Sequence, residues 1–308
     1  MKNKSILLAL TLLLASTMAF AQEEMFKVLA SKGGNKLQTS GTTDWKALFV
    51  GKKLSKGDKI TVDNNGYLGL AYKNGKTIEL KKAGTYEVSK LAGEVATQNA
   101  TTTAKYANYL AGEMSKTGGE DMAKNKYKYM AVTGSVERGT NEIAVFVPKT
   151  LNVTALSNQV VIEWEPETNT KTYVVNVTNL FGDEILKQET TETSMLLNLD
   201  SKKDKNYIVS IKSKENPDVK KDIRITYPSN DKIVELNKQL TDLKAQLGEE
   251  NALNKVILAS FYEDNKLYLE ALQNYEAAIK MEPEVDDYKV AYGQFLERAE
   301  IAEPKPTK

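Results

Sequence analysis

Apolar residues recur along this chain with two different periods. Between Lys59 and Val88 they alternate with polar ones: Ile60 and Val62, then Ile78 and Leu80. A period of two marks a half-buried β-strand. The same stretch, KITVDNNGYLGLAYKNGKTIELKKAGTYEV, holds Asn65-Gly66 and Asn74-Gly75, with a third turn at Ala83-Gly84. Asn and Gly both tolerate the positive φ of a tight hairpin turn. The regular spacing predicts a β-meander, folded as a small sandwich or roll over residues 25–91.

A second β region is predicted over 141–227. Its strand-like runs are IAVFV, QVVIEW, TYVVNVT, SMLLNL, NYIVSIK and DIRITY, separated by turn residues. Short strands at regular spacing point to an antiparallel sandwich. Between the two β regions the period changes. Tyr106, Tyr109, Leu110 and Met114 fall on one face of a helix predicted for 101–115. That face is expected to pack on the first β module. The polar stretch up to about residue 130 reads as a linker. In it, Lys124, Lys126 and Lys128 interleave with Tyr127 and Tyr129. A solvated linker is favoured there over a contact patch for an anionic polymer.

The C-terminal part, 231–302, is helical by pattern. Ile233, Leu236, Leu240, Leu243 and Leu247 recur at spacings of three and four. This stripe is too short for an independent coiled coil, so packing within the chain is expected, with dimerisation as the alternative. In NKVILASFYEDNKLYLEALQNYEAAIKMEPE, small residues stand at Ala259, Ala271 and Ala278. Aromatics stand at Tyr262 and Tyr275, and Pro283 ends the second helix. This spacing resembles a tetratricopeptide repeat. DDYKVAYGQFLERAEI then resembles the first helix of a second repeat, expected to cap the first.

Two further resemblances rest on ordered residues. Trp45, Leu48, Gly51, Leu54, Gly57, Asp58 and Ile60, with the Asn-Gly strands that follow, resemble the FecR-type periplasmic domain. Regulators of that family carry a cytoplasmic tail and one membrane span before the domain. This chain starts with a signal-like segment instead, so the resemblance implies the module alone. Trp45 is expected in its core. Trp164, Tyr173 and Tyr207, each at the edge of a strand-like run, resemble the fibronectin type III sandwich in their order. The fold class expected is therefore multidomain: mostly β in the N-terminal and central modules, with an α-helical tetratricopeptide-like module at the C-terminus.

The first residues, MKNKSILLALTLLLASTMAFAQ, add a compartment. A basic start, an apolar core of about ten residues and Ala19-Phe20-Ala21 fit a signal peptide cleaved before Gln22. The protein is expected to be exported, periplasmic or secreted, with no integral membrane span. Cysteine is absent, which excludes disulfides, a lipoprotein anchor and thiolate metal sites. Histidine is absent too, which removes the commonest general base and metal ligand. A carboxylate-based glycan hydrolase needs a placed pair of acids, and no spacing marks one. Charge is balanced, 42 basic against 41 acidic residues, so nucleic acid is not an expected partner.

These features point to a non-enzymatic binding or scaffold protein of the cell envelope that mediates protein–protein contacts. No catalytic, cofactor or metal residues are assigned. Tyr262, Asn265, Tyr268 and Asn274 are the candidate partner contacts, in the groove of the repeat. Wall glycan is a further candidate ligand. The alternatives are an envelope sensor or regulator working through the FecR-like module, and an oligomeric structural subunit, a homo-oligomer built through the leucine stripe.

Overall fold

The computed structural model describes residues 23–95, 101–116 and 142–301. The signal segment and the lysine–tyrosine stretch at 124–129 lie outside the described residues.

The N-terminal region pairs two four-stranded sheets. Its strands are β1 (Glu24–Lys32), β2 (Lys36–Gln38), β3 (Trp45–Ala47), β4 (Lys53–Ser55), β5 (Lys59–Val62), β6 (Tyr67–Tyr72), β7 (Thr77–Leu80) and β8 (Gly84–Glu87). One sheet has the order β4-β1-β6-β7, the other β3-β2-β5-β8. Helix α1 (Val88–Val95) follows at once and sends Val88, Leu91 and Ala92 into the core. Phe26, Leu54, Leu68 and Leu70 from one sheet meet Leu37, Ile60 and Val62 from the other.

The expected meander is corrected here. Asn65-Gly66 does not close a hairpin, because β5 and β6 belong to different sheets. Asn65 takes the left-handed conformation at φ 58°, and the chain crosses from one sheet to the other. Ala83-Gly84 likewise leads from β7 into the opposite sheet. Only Asn74-Gly75 turns a hairpin, β6 to β7, with Gly75 at φ 92°. Strand alternation shows which residues face inward but not which sheet they join.

Strand β6, between the two alternating strands, is covered on both faces: all six of its residues are buried. Leu68, Leu70 and Tyr72 face the sandwich interior. Tyr67 and Ala71 face the other way, into a core built mainly by helices. A register shift between Val28 and Ala30 lets β1 do the same, with Phe26 and Val28 inside and Leu29 and Ala30 against the helices.

The central region is a second sandwich. Its strands are β9 (Asn152–Thr154), β10 (Gln159–Glu163), β11 (Tyr173–Asn179), β12 (Glu184–Thr190), β13 (Ser194–Asn198), β14 (Asn206–Ser213) and β15 (Lys220–Thr226). A five-stranded sheet, β12-β11-β14-β15-β9, faces the pair β10-β13. The run IAVFV forms no strand: Val145 makes a single bridge to Trp164. Strand β12 was not legible as a run because none of its residues is buried. Trp164 and Tyr173 meet edge to face at 5.3 Å, and the Tyr207 hydroxyl donates to the Asp200 carbonyl at 2.9 Å.

Five further helices lie among the described residues: α2 (Thr101–Lys116), α3 (Asn230–Leu247), α4 (Ala252–Asp264), α5 (Tyr268–Met281) and α6 (Asp286–Ala299). Ser229 caps α3 by accepting from the Lys232 amide, and Asn251 caps α4 by accepting from the Asn254 amide. Such side chains satisfy amides that have no partner inside the helix. The leucine stripe of α3 is spent inside the chain, with Leu236 and Leu243 buried. Helix α2 packs on β1 and β6, as expected, and also on α3, α4 and α6. The helical core therefore takes residues from both sandwiches, including Tyr67 from the first and Phe146 and Leu156 from the second.

Candidate functional site

The four candidate contact residues do not form an open groove. Tyr262 is buried, at 8% exposure, and burial pushes its hydroxyl up to about 12. Asn265 and Asn274 are partly buried and donate to carbonyls of their own helices, Phe261 and Glu270, at 2.8 and 2.7 Å. Tyr268 is partly buried and rests on Phe295 with ring centroids 6.2 Å apart. The face that α4 and α6 share is covered by α2. There Tyr106 meets Phe261 at 5.5 Å, and Lys105 pairs with Asp264 at 2.7 Å.

Under that cover lies a buried charge cluster. The Arg298 guanidinium donates to both Glu263 oxygens, from Nε at 2.6 Å and Nη2 at 3.1 Å. Tyr109 and Tyr275 each donate to Glu263 at 3.2 Å. Burial works against the charge on Arg298, but the Glu263 carboxylate outweighs it and holds the arginine above its ordinary value. Burial, aided by Glu263, pushes the Tyr109 hydroxyl up to about 12. The cluster bolts α2, α4, α5 and α6 together. Every oxygen of the carboxylate is used in this, so it offers no vacant ligand position.

Three carboxylates also tie the β regions to the helices through backbone amides. Glu79 of β7 accepts from the Leu253 amide at the start of α4, at 2.9 Å. It accepts as well from Tyr67, whose hydroxyl lies 2.6 Å from that of Tyr288. Asp287 of α6 accepts from the Ser31 amide of β1 at 2.7 Å. Glu270 of α5 accepts from the Leu156 and Ser157 amides of the second sandwich, at 2.7 and 3.2 Å. Charge-assisted bonds to fixed amides are short and directional, so they set the orientation of each sandwich on the helices.

The seam between α5 and the second sandwich is acidic. Burial raises Glu270 and Glu163 above their ordinary values. Glu276 is pushed up to about 7, by burial first and by the Glu163 charge second, with the Tyr292 hydroxyl opposing at 2.9 Å. No ion pair involves these three among the described residues. No group of three or more acids is placed to hold a metal ion among the described residues, and no described helix is long and apolar enough to cross a membrane.

Two surfaces with exposed aromatic residues stand out among the described residues. One is the β11–β12 turn, where Phe181 is 87% exposed and Leu180 54%. Asn179 stitches this turn: its Oδ1 accepts from the Phe181 and Asp183 amides at 2.9 and 3.0 Å, and Gly182 sits at φ 86°. The other is the outer face of the sheet β3-β2-β5-β8. Trp45, expected in the core, is 39% exposed there on an edge strand with no buried residue. The core position is taken by Leu48 instead. The exposure of Phe181 had no signal in the apolar pattern, because Leu180-Phe181 ends an alternating strand.

No protein-family model matches this chain, and no curated protein matches it.

Proposed function

We propose that the protein is a non-enzymatic scaffold of the cell envelope that binds protein partners through the Phe181 turn. The observation that carries this is an aromatic side chain, almost fully exposed, at the tip of a turn whose backbone is hydrogen-bonded. A turn whose backbone is already held in place gives up little backbone entropy on binding, and large aromatic side chains anchor protein interfaces. Asp183 and Glu184 beside it favour a partner pocket with a basic rim. The helix-groove contact expected from the repeat is not retained, because α2 fills that face.

Several features support the module readings. The β10-β13 pair opposite β12-β11-β14-β15, with the Tyr207–Asp200 contact, fits a fibronectin type III-like sandwich. Ala259, Ala271 and Ala278 are all fully buried where α4 and α5 pack, as a tetratricopeptide-like hairpin requires. Asp58 follows Gly57 at φ 89° and accepts from the Ser40 and Ser55 amides, a structural reason for the Gly-Asp pair of a FecR-like module. The signal-like start supports a position outside the cytoplasm for this scaffold.

The test is capture of partners from crosslinked envelopes with the intact protein and with L180S/F181S. The substitutions lie on the surface, so the melting temperature stays within about 2 °C. A partner set lost with the double variant supports the reading. An unchanged set ends it.

A further inference from the structure

The outer face of the sheet β3-β2-β5-β8 is ordered across its strands. Residues directly opposite one another in a ladder share a face. Trp45 is opposite Gln38, Gln38 opposite Lys59, and Lys59 opposite Glu87. These four side chains form one row from the β3 edge to the β8 edge. Three strand spacings of roughly 4.8 Å give it a length of roughly 14 Å. The next row is Ala47, Lys36, Thr61 and Thr85, with one further charge and no large apolar group. Leu37 and Ile60 point the other way, into the core. At the β8 end the row runs into an open cleft of about 270 Å³ between β8 and α1, with Lys59, Glu87, Lys90 and Glu94 on its walls.

The chemistry of this face selects among ligands. A pyranose ring has an apolar face of C–H groups, which an exposed indole accepts, and an equator of hydroxyls. Hydroxyls are both donors and acceptors, and they match amides, carboxylates and ammonium groups standing side by side. Gln38 has its Nε2 engaged with the Thr43 carbonyl at 3.1 Å, which fixes its side chain. Glu87 and Lys90 pair at 3.2 Å. The charges are mixed and largely balanced, which does not suit a polyanion such as nucleic acid or an anionic bilayer. It suits a hydroxyl-rich chain of little charge.

We propose that this face is a glycan-binding platform, with Trp45 stacking on a sugar ring and Gln38, Lys59 and Glu87 bonding the hydroxyls of the sugars that follow. It lies on a different sheet from the Phe181 turn, so this inference and the scaffold reading fail separately.

The chain has two tryptophans, and Trp164 is buried at 1% exposure. A change in tryptophan emission on adding ligand therefore reports on Trp45. The intact protein is titrated with β-linked N-acetylglucosamine oligomers and β-linked glucose oligomers, and its retention on insoluble chitin and cellulose is measured. The expected result is a saturable emission change with one series. W45A then abolishes retention and E87Q weakens binding about tenfold. Both variants are checked for an unchanged melting curve, which surface positions allow. No emission change with either series, or equal retention of the parent and W45A, overturns the proposal. So does loss by W45A of a protein captured from envelopes with no glycan bound, which would make the face a protein-docking surface.

Discussion

Glu263 shows how a single buried charge is tolerated in this chain. Its carboxylate is nearly inaccessible, yet one guanidinium and two hydroxyls satisfy it. Breaking a fully buried pair from one side costs about 3–5 kcal/mol, because the other charge is left without compensation. Arg298 keeps about a third of its side chain in water, so R298M is expected to cost roughly 2–3 kcal/mol. The double variant E263Q/R298M should recover part of the loss. Denaturant midpoints of the three proteins check this, and a double variant less stable than R298M would contradict it. Tyr262 and Asn265 teach the complementary point. Their residue types fit a contact surface, but one is packed in the core and the other bonds back to its own helix.

At the level of elements, the seams decide stability. Gly69 of β6 lies so close to α4 that a Cβ there would stand 3.3 Å from Ala30 and from Leu253. G69V is therefore expected to push the helix from the sheet, at about 1–3 kcal/mol, with a lowered melting temperature. The seam between α5 and the second sandwich responds to pH. Unfolded, Glu276 titrates near 4.5; folded, near 7. Between those values the folded chain binds more protons, so stability is full below the window and falls as pH rises through it. The loss from this residue is on the order of 2 kcal/mol by pH 8, allowing for its partial exposure. Glu163 and Glu270 are shifted in the same direction. E276Q should flatten the fall between pH 5 and 8 and raise the melting temperature at pH 8. A parent protein equally stable at both pH values would refute the account.

For the whole molecule, the helical core joins what the chain order separates. Leu29, Ala30, Tyr67 and Ala71 of the first sandwich, and Phe146 and Leu156 of the second, are covered by the same helices. Unfolding by heat is expected to be one cooperative transition, with calorimetric and van't Hoff enthalpies in agreement. Three resolved transitions would show independent units instead. A chain cut after Tyr227 would uncover the outer face of β1 and β6, and should bind a hydrophobic dye that the intact protein does not.

The period of the apolar residues was enough to locate most of the described strands and the described helices from α2 onward. It works because each element must bury one face whatever it packs against. The small residues of α4 and α5 and the stripe of α3 were legible for the same reason. Sheet membership was not, since Asn65-Gly66 can turn a hairpin or a crossover with the same local geometry. The exposure of Trp45 and Phe181 was not legible either, because an aromatic residue carries no mark of what lies above it. Whether α4 offers a groove depended on α2, more than a hundred residues earlier in the chain. Local pattern sets what an element can bury; only tertiary packing assigns the partner that buries it and leaves the remaining surfaces free to bind.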